Sequence, residues 1–65
     1  MSVEQVKLME QIIYYGFKLT LSMKDIIAQI VDKNTLGVIC KYLNDNHDEI
    51  SQEELEIYLE SKLKQ

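Results

Sequence analysis

The chain contains no proline, tryptophan or arginine, and its 65 residues include one cysteine, one histidine and two glycines. One cysteine cannot form a disulfide within the chain, and one cysteine with one histidine is too few for a typical zinc site. A domain of this length buries only about 60% of the surface that its unfolded chain exposes. Its stability must therefore come from regular helix packing or from a partner chain.

Long apolar runs are also absent. No apolar stretch approaches the ~18 residues of a membrane-spanning helix, and the first residues lack the basic cluster of a secretory signal. Hydrophobic residues make up 46% and charged residues 28% of the chain, which is the balance of a folded domain. The single Cys40 lies among apolar residues and indicates a reducing compartment. We therefore predict a cytoplasmic protein with no membrane partner.

Charge is unevenly distributed along the chain. Residues 1–44 carry five lysines and four acidic residues, whereas residues 45–65 carry seven acidic residues and two lysines, so the net charges of +1 and −5 sum to −4. Arginine, which reads guanine edges and phosphates through paired hydrogen bonds, is missing, and a nucleic-acid partner is disfavoured. The acidic final third instead predicts attraction to a basic protein surface.

The first predicted helix begins at Ser2, which forms the capping-box pattern with Gln5 three residues later. Apolar residues then recur at helical spacing. The predicted buried stripe is Val6, Met9, Ile13 and Phe17, with Ile12 beside it. Gly16 either ends this helix, because glycine adopts the left-handed conformation of many helix ends, or the helix continues to about Thr20.

Two further helices follow. Ser22 with Asp25 predicts the start of the second, and Asn34 or Thr35 predicts the start of the third. The expected buried residues are Met23, Ile26, Ile27, Ile30 and Val31 in the second helix, and Leu36, Ile39, Cys40 and Leu43 in the third. Gly37 predicts either a closely packed position or a later start of the third helix.

A polar loop is expected over residues 44–49, because asparagine and aspartate favour turns. The fourth helix then has two start signals: Ser51 with Glu54 is a capping box, and Ile50 with Leu55 is spaced as a hydrophobic staple. Its apolar stripe is Leu55, Tyr58, Leu59 and Leu63. We therefore predict an all-α fold: one small compact helical domain over residues 1–65, with about four short helices arranged as two helix–loop–helix hairpins.

The segment over residues 44–54 resembles the calcium loop of an EF-hand. With Glu54 at position 12 of that loop, Leu43 and His47 stand at two ligand positions, and Asp48 replaces the required glycine. The sequence contains no glycine-rich phosphate loop, and a core this small encloses little space for a substrate. We therefore predict no metal, no cofactor and no catalytic residue, and expect that the protein is not an enzyme.

Residues 21–44 resemble a helix-turn-helix DNA reader in outline, with a capped helix, a short turn and a second helix that carries Lys41. The second helix of such a reader presents polar side chains to the DNA groove, but this one is rich in apolar residues. The acidic final third would also repel phosphate. A helix-turn-helix regulator that uses residues 22–44 remains the alternative hypothesis.

Aromatic residues are numerous for so small an interior. Adjacent residues such as Tyr14 and Tyr15 cannot both point inward on a helix, and tyrosine is enriched at protein interfaces. We therefore predict a small regulatory or inhibitory protein that binds another protein and associates with itself. The predicted partner-binding residues are Tyr14, Tyr15, Glu53, Glu56, Ile57, Tyr58 and Glu60.

Overall fold

The computed structural model describes residues 1–64, which fold into four α-helices and contain no β-strand. The helices are α1 (Val3–Tyr14), α2 (Leu21–Gln29), α3 (Lys33–Asn46) and α4 (Gln52–Leu63). The prediction of an all-α fold with four short helices is confirmed. Within the described residues, no helix has the length and apolar character that crossing a membrane requires.

The four helices share one core. α1 packs on α3, α2 packs on α4, and α1 also contacts α2. Each helix–loop–helix pair therefore packs mainly on the other pair. The core side chains are Leu8, Ile12, Met23, Ile26, Ile27, Ile30, Leu36, Ile39, Leu43, Leu55 and Leu59. Because burial of one such side chain contributes about 1.5–3 kcal/mol, this core is the main source of stability.

The capping boxes predicted for the first and fourth helices are confirmed. The Ser2 hydroxyl accepts a hydrogen bond from the Gln5 backbone N–H at 3.2 Å, and Gln5 Oε1 accepts one from the Ser2 N–H at 2.7 Å. In the same arrangement, the Ser51 hydroxyl accepts from the Glu54 N–H at 3.2 Å, and Glu54 Oε1 accepts from the Ser51 N–H at 2.9 Å. These signals lie within four consecutive residues, so local chemistry alone determines them.

The starts predicted for α2 and α3 are wrong by two or more residues. Thr20, not Ser22, caps α2, because its hydroxyl accepts a hydrogen bond from the Met23 N–H. The cap of α3 is Asp32, whose carboxylate accepts from both the N–H and the hydroxyl of Thr35 at 3.0 and 2.8 Å. Several residues near each start can cap a helix, and tertiary packing selects among them.

Gly16 ends the first helix, as predicted, and the continuation to Thr20 does not occur. Gly16 has a φ of +91°, a conformation that other residues rarely adopt. Its N–H donates to the Ile13 carbonyl, and the Phe17 N–H donates to the Ile12 carbonyl. These two bonds form a Schellman motif.

The stripe predicted for the first helix is wrong in part. Val6 and Ile13 are exposed, and the buried residues of α1 are Gln5, Leu8 and Ile12. A polar residue therefore occupies the first core position of this helix. Gln5 can be buried because its Nε2 donates to three carbonyl oxygens at the end of α2.

Three other local predictions are also wrong. Residues 44–46 belong to α3, not to a loop, and the Asn46 side chain donates to the Tyr42 carbonyl one turn earlier. Val31 is 78% exposed because α2 ends before it. Gly37 lies well inside α3, and a side-chain methyl at this position would contact nothing within 4 Å. Close packing therefore does not require this glycine, and α3 does not begin after it.

Candidate functional site

A shallow groove of about 230 Å³ lies between α2 and α4. It is lined by Ser22, Ile26, Glu53, Glu56, Ile57 and Glu60, which we call the α2–α4 groove. The four residues from α4 all belong to the predicted partner-binding set. The volume of the groove lies below the roughly 300–1,000 Å³ of sites that bind drug-sized molecules.

Helical geometry brings the α4 residues of the groove together. They are spaced at i, i+3, i+4 and i+7 from Glu53, and this spacing places them on one face. Leu55 and Leu59 are fully buried on the opposite face and fix how α4 is turned about its axis. As a result Ile57 remains 65% exposed among the glutamates.

The α2 side of the groove was missed by the sequence prediction. Ser22 and Ile26 lie one turn apart, which places both on the face that meets α4. Thr20, not the predicted Ser22, caps α2, and Ser22 is exposed in the first turn of this helix. Ile26 is 6% exposed and adds apolar surface to the groove.

The electrostatic character of the groove is acidic. Three of its lining residues are glutamates, and none of the lining residues is basic. Glu53 lies in the first turn of α4, where the helix dipole stabilises a negative charge. Glu56 accepts a hydrogen bond from Gln52 Nε2 at 3.3 Å, which restrains its carboxylate. The groove thus combines apolar surface with a negatively charged border.

Gln52 connects the start of α4 to the linker that precedes α2. Its Oε1 accepts from the Lys18 N–H at 2.9 Å, and its Nε2 donates to the Lys18 carbonyl at 2.8 Å. Both backbone groups of Lys18 are therefore paired with one side chain. Because α2 begins at Leu21, this attachment positions α2 beside α4 and maintains the groove.

Tyr58 lies outside the groove, on the side of α4 that meets α3. Its ring stacks on Tyr42 with centroids 3.7 Å apart and an interplanar angle of 9°, and Lys62 Nζ lies 5.3 Å from its centroid. Burial, with a contribution from Tyr42, raises the pKa of Tyr58. The structure therefore separates Tyr58 from the four residues with which it was predicted to act.

The two adjacent tyrosines are also separated from the groove residues. Tyr14 is 83% exposed, and its ring makes an edge-to-face contact with the ring of Tyr15, with centroids 5.3 Å apart. Tyr15 stacks on His47 at 3.8 Å and donates from its hydroxyl to Asn44 Oδ1 at 2.6 Å. Tyr15 therefore joins the end of α1 to the end of α3, and His47 is covered by a ring instead of being freely solvated.

Possible metal ligands do not converge in the described part of the chain. Among residues 1–64, no group of three or more histidine, cysteine, aspartate or glutamate side chains is placed to hold a metal ion. The segment that resembles an EF-hand loop is helical through Asn46, so Asp45 is not in a loop. Cys40 is half-buried, and this burial raises the pKa of its thiol.

Comparison with known proteins gives no match: no family model, no curated protein sequence and no solved structure is significantly similar to the chain.

Proposed function

We propose that this chain is a small regulatory or inhibitory protein that binds another protein without catalysis. The α2–α4 groove is the binding site in this proposal, and its partner segment is basic and amphipathic. The observation that carries the proposal is the exposed Ile57 surrounded by three glutamates on one face of α4. Apolar surface rimmed by polar residues marks protein interaction sites, and here Ile57 and Ile26 line one groove that three glutamates border.

The groove can accept a helix whose two faces differ. Apolar residues of such a helix, spaced at i and i+3 or i+4, would contact Ile26 and Ile57. Lysine or arginine residues beside them would then face the glutamates of the border. Charge complementarity of this kind increases the association rate and disfavours acidic partners. The excess of negative charge in residues 45–65 extends the attraction beyond the groove.

A role without catalysis is supported by the surroundings of the two side chains best suited to chemistry. His47 stacks on Tyr15 and contacts Asp48 Oδ1 at 3.2 Å. The raised pKa of the half-buried Cys40 disfavours the thiolate that a nucleophile requires. These residues contribute to the fold, and we infer that the cytoplasm, where one cysteine stays reduced, is where the protein acts.

Helix-turn-helix DNA binding is the second candidate. One observation favours it: of the apolar residues Leu36, Val38, Ile39 and Cys40 that disfavour a DNA-reading helix, Leu36 and Ile39 are buried. Lys33 and Lys41 lie on the exposed side of α3, although Val38 is also exposed there. However, Asp45 follows Lys41 by one helical turn on the same side and opposes phosphate binding. A mobility-shift measurement with mixed DNA at low salt tests this candidate, which requires a shift at micromolar protein.

The main proposal is tested with a synthetic amphipathic peptide of leucine and lysine and a matched peptide of leucine and glutamate. Each is added to isotope-labelled protein while amide resonances are followed by NMR. The proposal expects saturable shifts at α4 and at residues 22–26 for the lysine peptide only. Equal shifts with both peptides, or shifts confined to other surfaces, would contradict it.

A further inference from the structure

The outer face of α1 is apolar at both ends and charged at its centre. Val3 and Tyr14 are 64% and 83% exposed, and Lys7 and Glu10 lie between them on the same exposed face. The four residues follow the spacing i, i+4, i+7 and i+11, so they form one line along the helix. The buried Leu8 and Ile12 lie on the opposite side.

This line is complementary to itself when reversed. In an antiparallel pair of α1 helices centred between residues 8 and 9, position 3 faces position 14 and position 7 faces position 10. Val3 of one copy then contacts Tyr14 of the other, and Lys7 of one copy meets Glu10 of the other. Two-fold symmetry repeats each contact, as expected for an isologous interface.

The charges at the centre are available for this pairing. Within residues 1–64 no lysine nitrogen lies within 4.0 Å of a carboxylate, and the one contact of this kind joins His47 to Asp48, so neither Lys7 nor Glu10 is paired inside the chain. Opposite charges that face each other across an interface fix its register and disfavour the parallel arrangement. A parallel pair would place each lysine beside lysine and each glutamate beside glutamate.

Two more apolar side chains border the line on one side. Val6 and Ile13 are 41% and 58% exposed, and they lie on the same flank of α1. A two-fold axis in the interface keeps this flank on the same side in both copies. The two valines and two isoleucines therefore come together along one edge of the helix pair and add apolar burial to the contact.

We propose that a second copy of this chain docks on α1 in this antiparallel register. The occupant is another copy because the face matches its own reverse in both charge and apolar character. A helix of 12 residues is only about 18 Å long, so the interface is smaller than the ~1,600 Å² of a standard complex. The proposal therefore expects a weak dimer, and it does not depend on the α2–α4 groove.

Sedimentation of charge-reversal variants tests the proposal. The wild-type chain is expected to dimerise with a dissociation constant below about 1 mM. Lys7→Glu and Glu10→Lys should each raise this constant by roughly tenfold. An equimolar mixture of the two variants, and the double variant, should both recover it. Lys24→Glu on α2 is the matched control and should have no effect. A wild-type monomer at about 1 mM, or a double variant no better than the single ones, would overturn the proposal.

Disulfide trapping tests the register independently in a Cys40→Ser background. A mixture of Val3→Cys and Tyr14→Cys chains should form a crosslinked pair, because these positions face each other. Val3→Cys alone should not crosslink, since its two copies lie about 16 Å apart along the helix and a disulfide requires Cα atoms within about 7 Å. Efficient crosslinking of Val3→Cys alone, or none in the mixture, would contradict the antiparallel register.

Discussion

The side chain of Gln5, in the first turn of α1, donates a hydrogen bond to the backbone carbonyl of Ile27 at 2.9 Å. The same Nε2 donates to the carbonyls of Ala28 and Ile30 at 3.2 and 3.0 Å, where α2 ends. Its Oε1 accepts from the N–H of Ser2, which caps α1. One buried amide therefore satisfies the start of one helix and the end of another.

Gln5→Leu should lower the free energy of unfolding by about 2–4 kcal/mol, because the carbonyls of Ala28 and Ile30 lose the Gln5 donor and half of a capping box is removed. Gln5→Glu keeps the capping oxygen but replaces the donor with an acceptor, and it should also destabilise strongly. Urea unfolding measures both. Glu54→Leu, which removes the same half of the exposed box in α4, is the control and should cost less than about 1 kcal/mol. Similar losses at the two positions would show that the contacts with α2 carry no stability.

The two glycines should respond in opposite directions to alanine. Gly37→Ala should raise the free energy of unfolding by about 0.5–1 kcal/mol, because the site is helical and open. Gly16→Ala should lower it by about 1 kcal/mol or more, because the φ of +91° strains any residue with a side chain. Thermal or urea unfolding checks both changes. Destabilisation by Gly37→Ala would mean that α3 does not begin before this residue.

Asp32 should make the stability of α3 depend on pH. The hydrogen bond from the Thr35 hydroxyl, followed by that from the Thr35 N–H, lowers the pKa of Asp32. A lowered folded-state pKa contributes stability above the unfolded value, near pH 4, that is lost as the pH falls through the folded value. Asp32→Asn can still cap the helix but does not titrate. The melting temperature of this variant should therefore fall less than that of the wild type below about pH 4. Parallel melting curves would contradict the assignment of this cap.

The Cys40 thiol should react slowly in the folded chain. Burial raises its pKa, so a smaller fraction is thiolate at pH 8 than in an unfolded chain. Alkylation by iodoacetamide, followed by mass spectrometry, should be slower without urea than with it. Equal rates in the two conditions would show that the thiol is fully accessible in the fold.

What could be predicted from the sequence depended on how local the determining contacts are. The Ser51–Glu54 box involves neighbouring residues only, and it was predicted correctly. The burial of Gln5 depends on carbonyls more than 20 positions away, which no pattern around Gln5 indicates. Val6 and Ile13 were placed in the core because their spacing suits a helix, but helical spacing alone does not determine which face is buried.

The residues of the candidate site were likewise predictable where they share one helix and not where two helices meet. The spacing of the glutamates around Ile57 was visible in the sequence, because they share one helix. That α2 provides the opposite side of the groove follows from the packing of α2 on α4, which the sequence did not indicate. Tyr58 differs from Ile57 by one position but lies on another face, in contact with Tyr42. With Tyr14 and Tyr15 at the end of α1, the predicted set therefore lies on three separate surfaces.

Binding of the leucine–lysine peptide to two charge-matched variants tests the proposed function most directly. The triple variant E53Q/E56Q/E60Q removes the carboxylates of the groove, and D45N/D48N/E49Q removes three exposed carboxylates elsewhere, so both variants change the net charge from −4 to −1. Calorimetry should show affinity reduced by about tenfold or more for the groove variant and by clearly less for its control. Equal affinities for the two variants would contradict the assignment of the α2–α4 groove as the binding site.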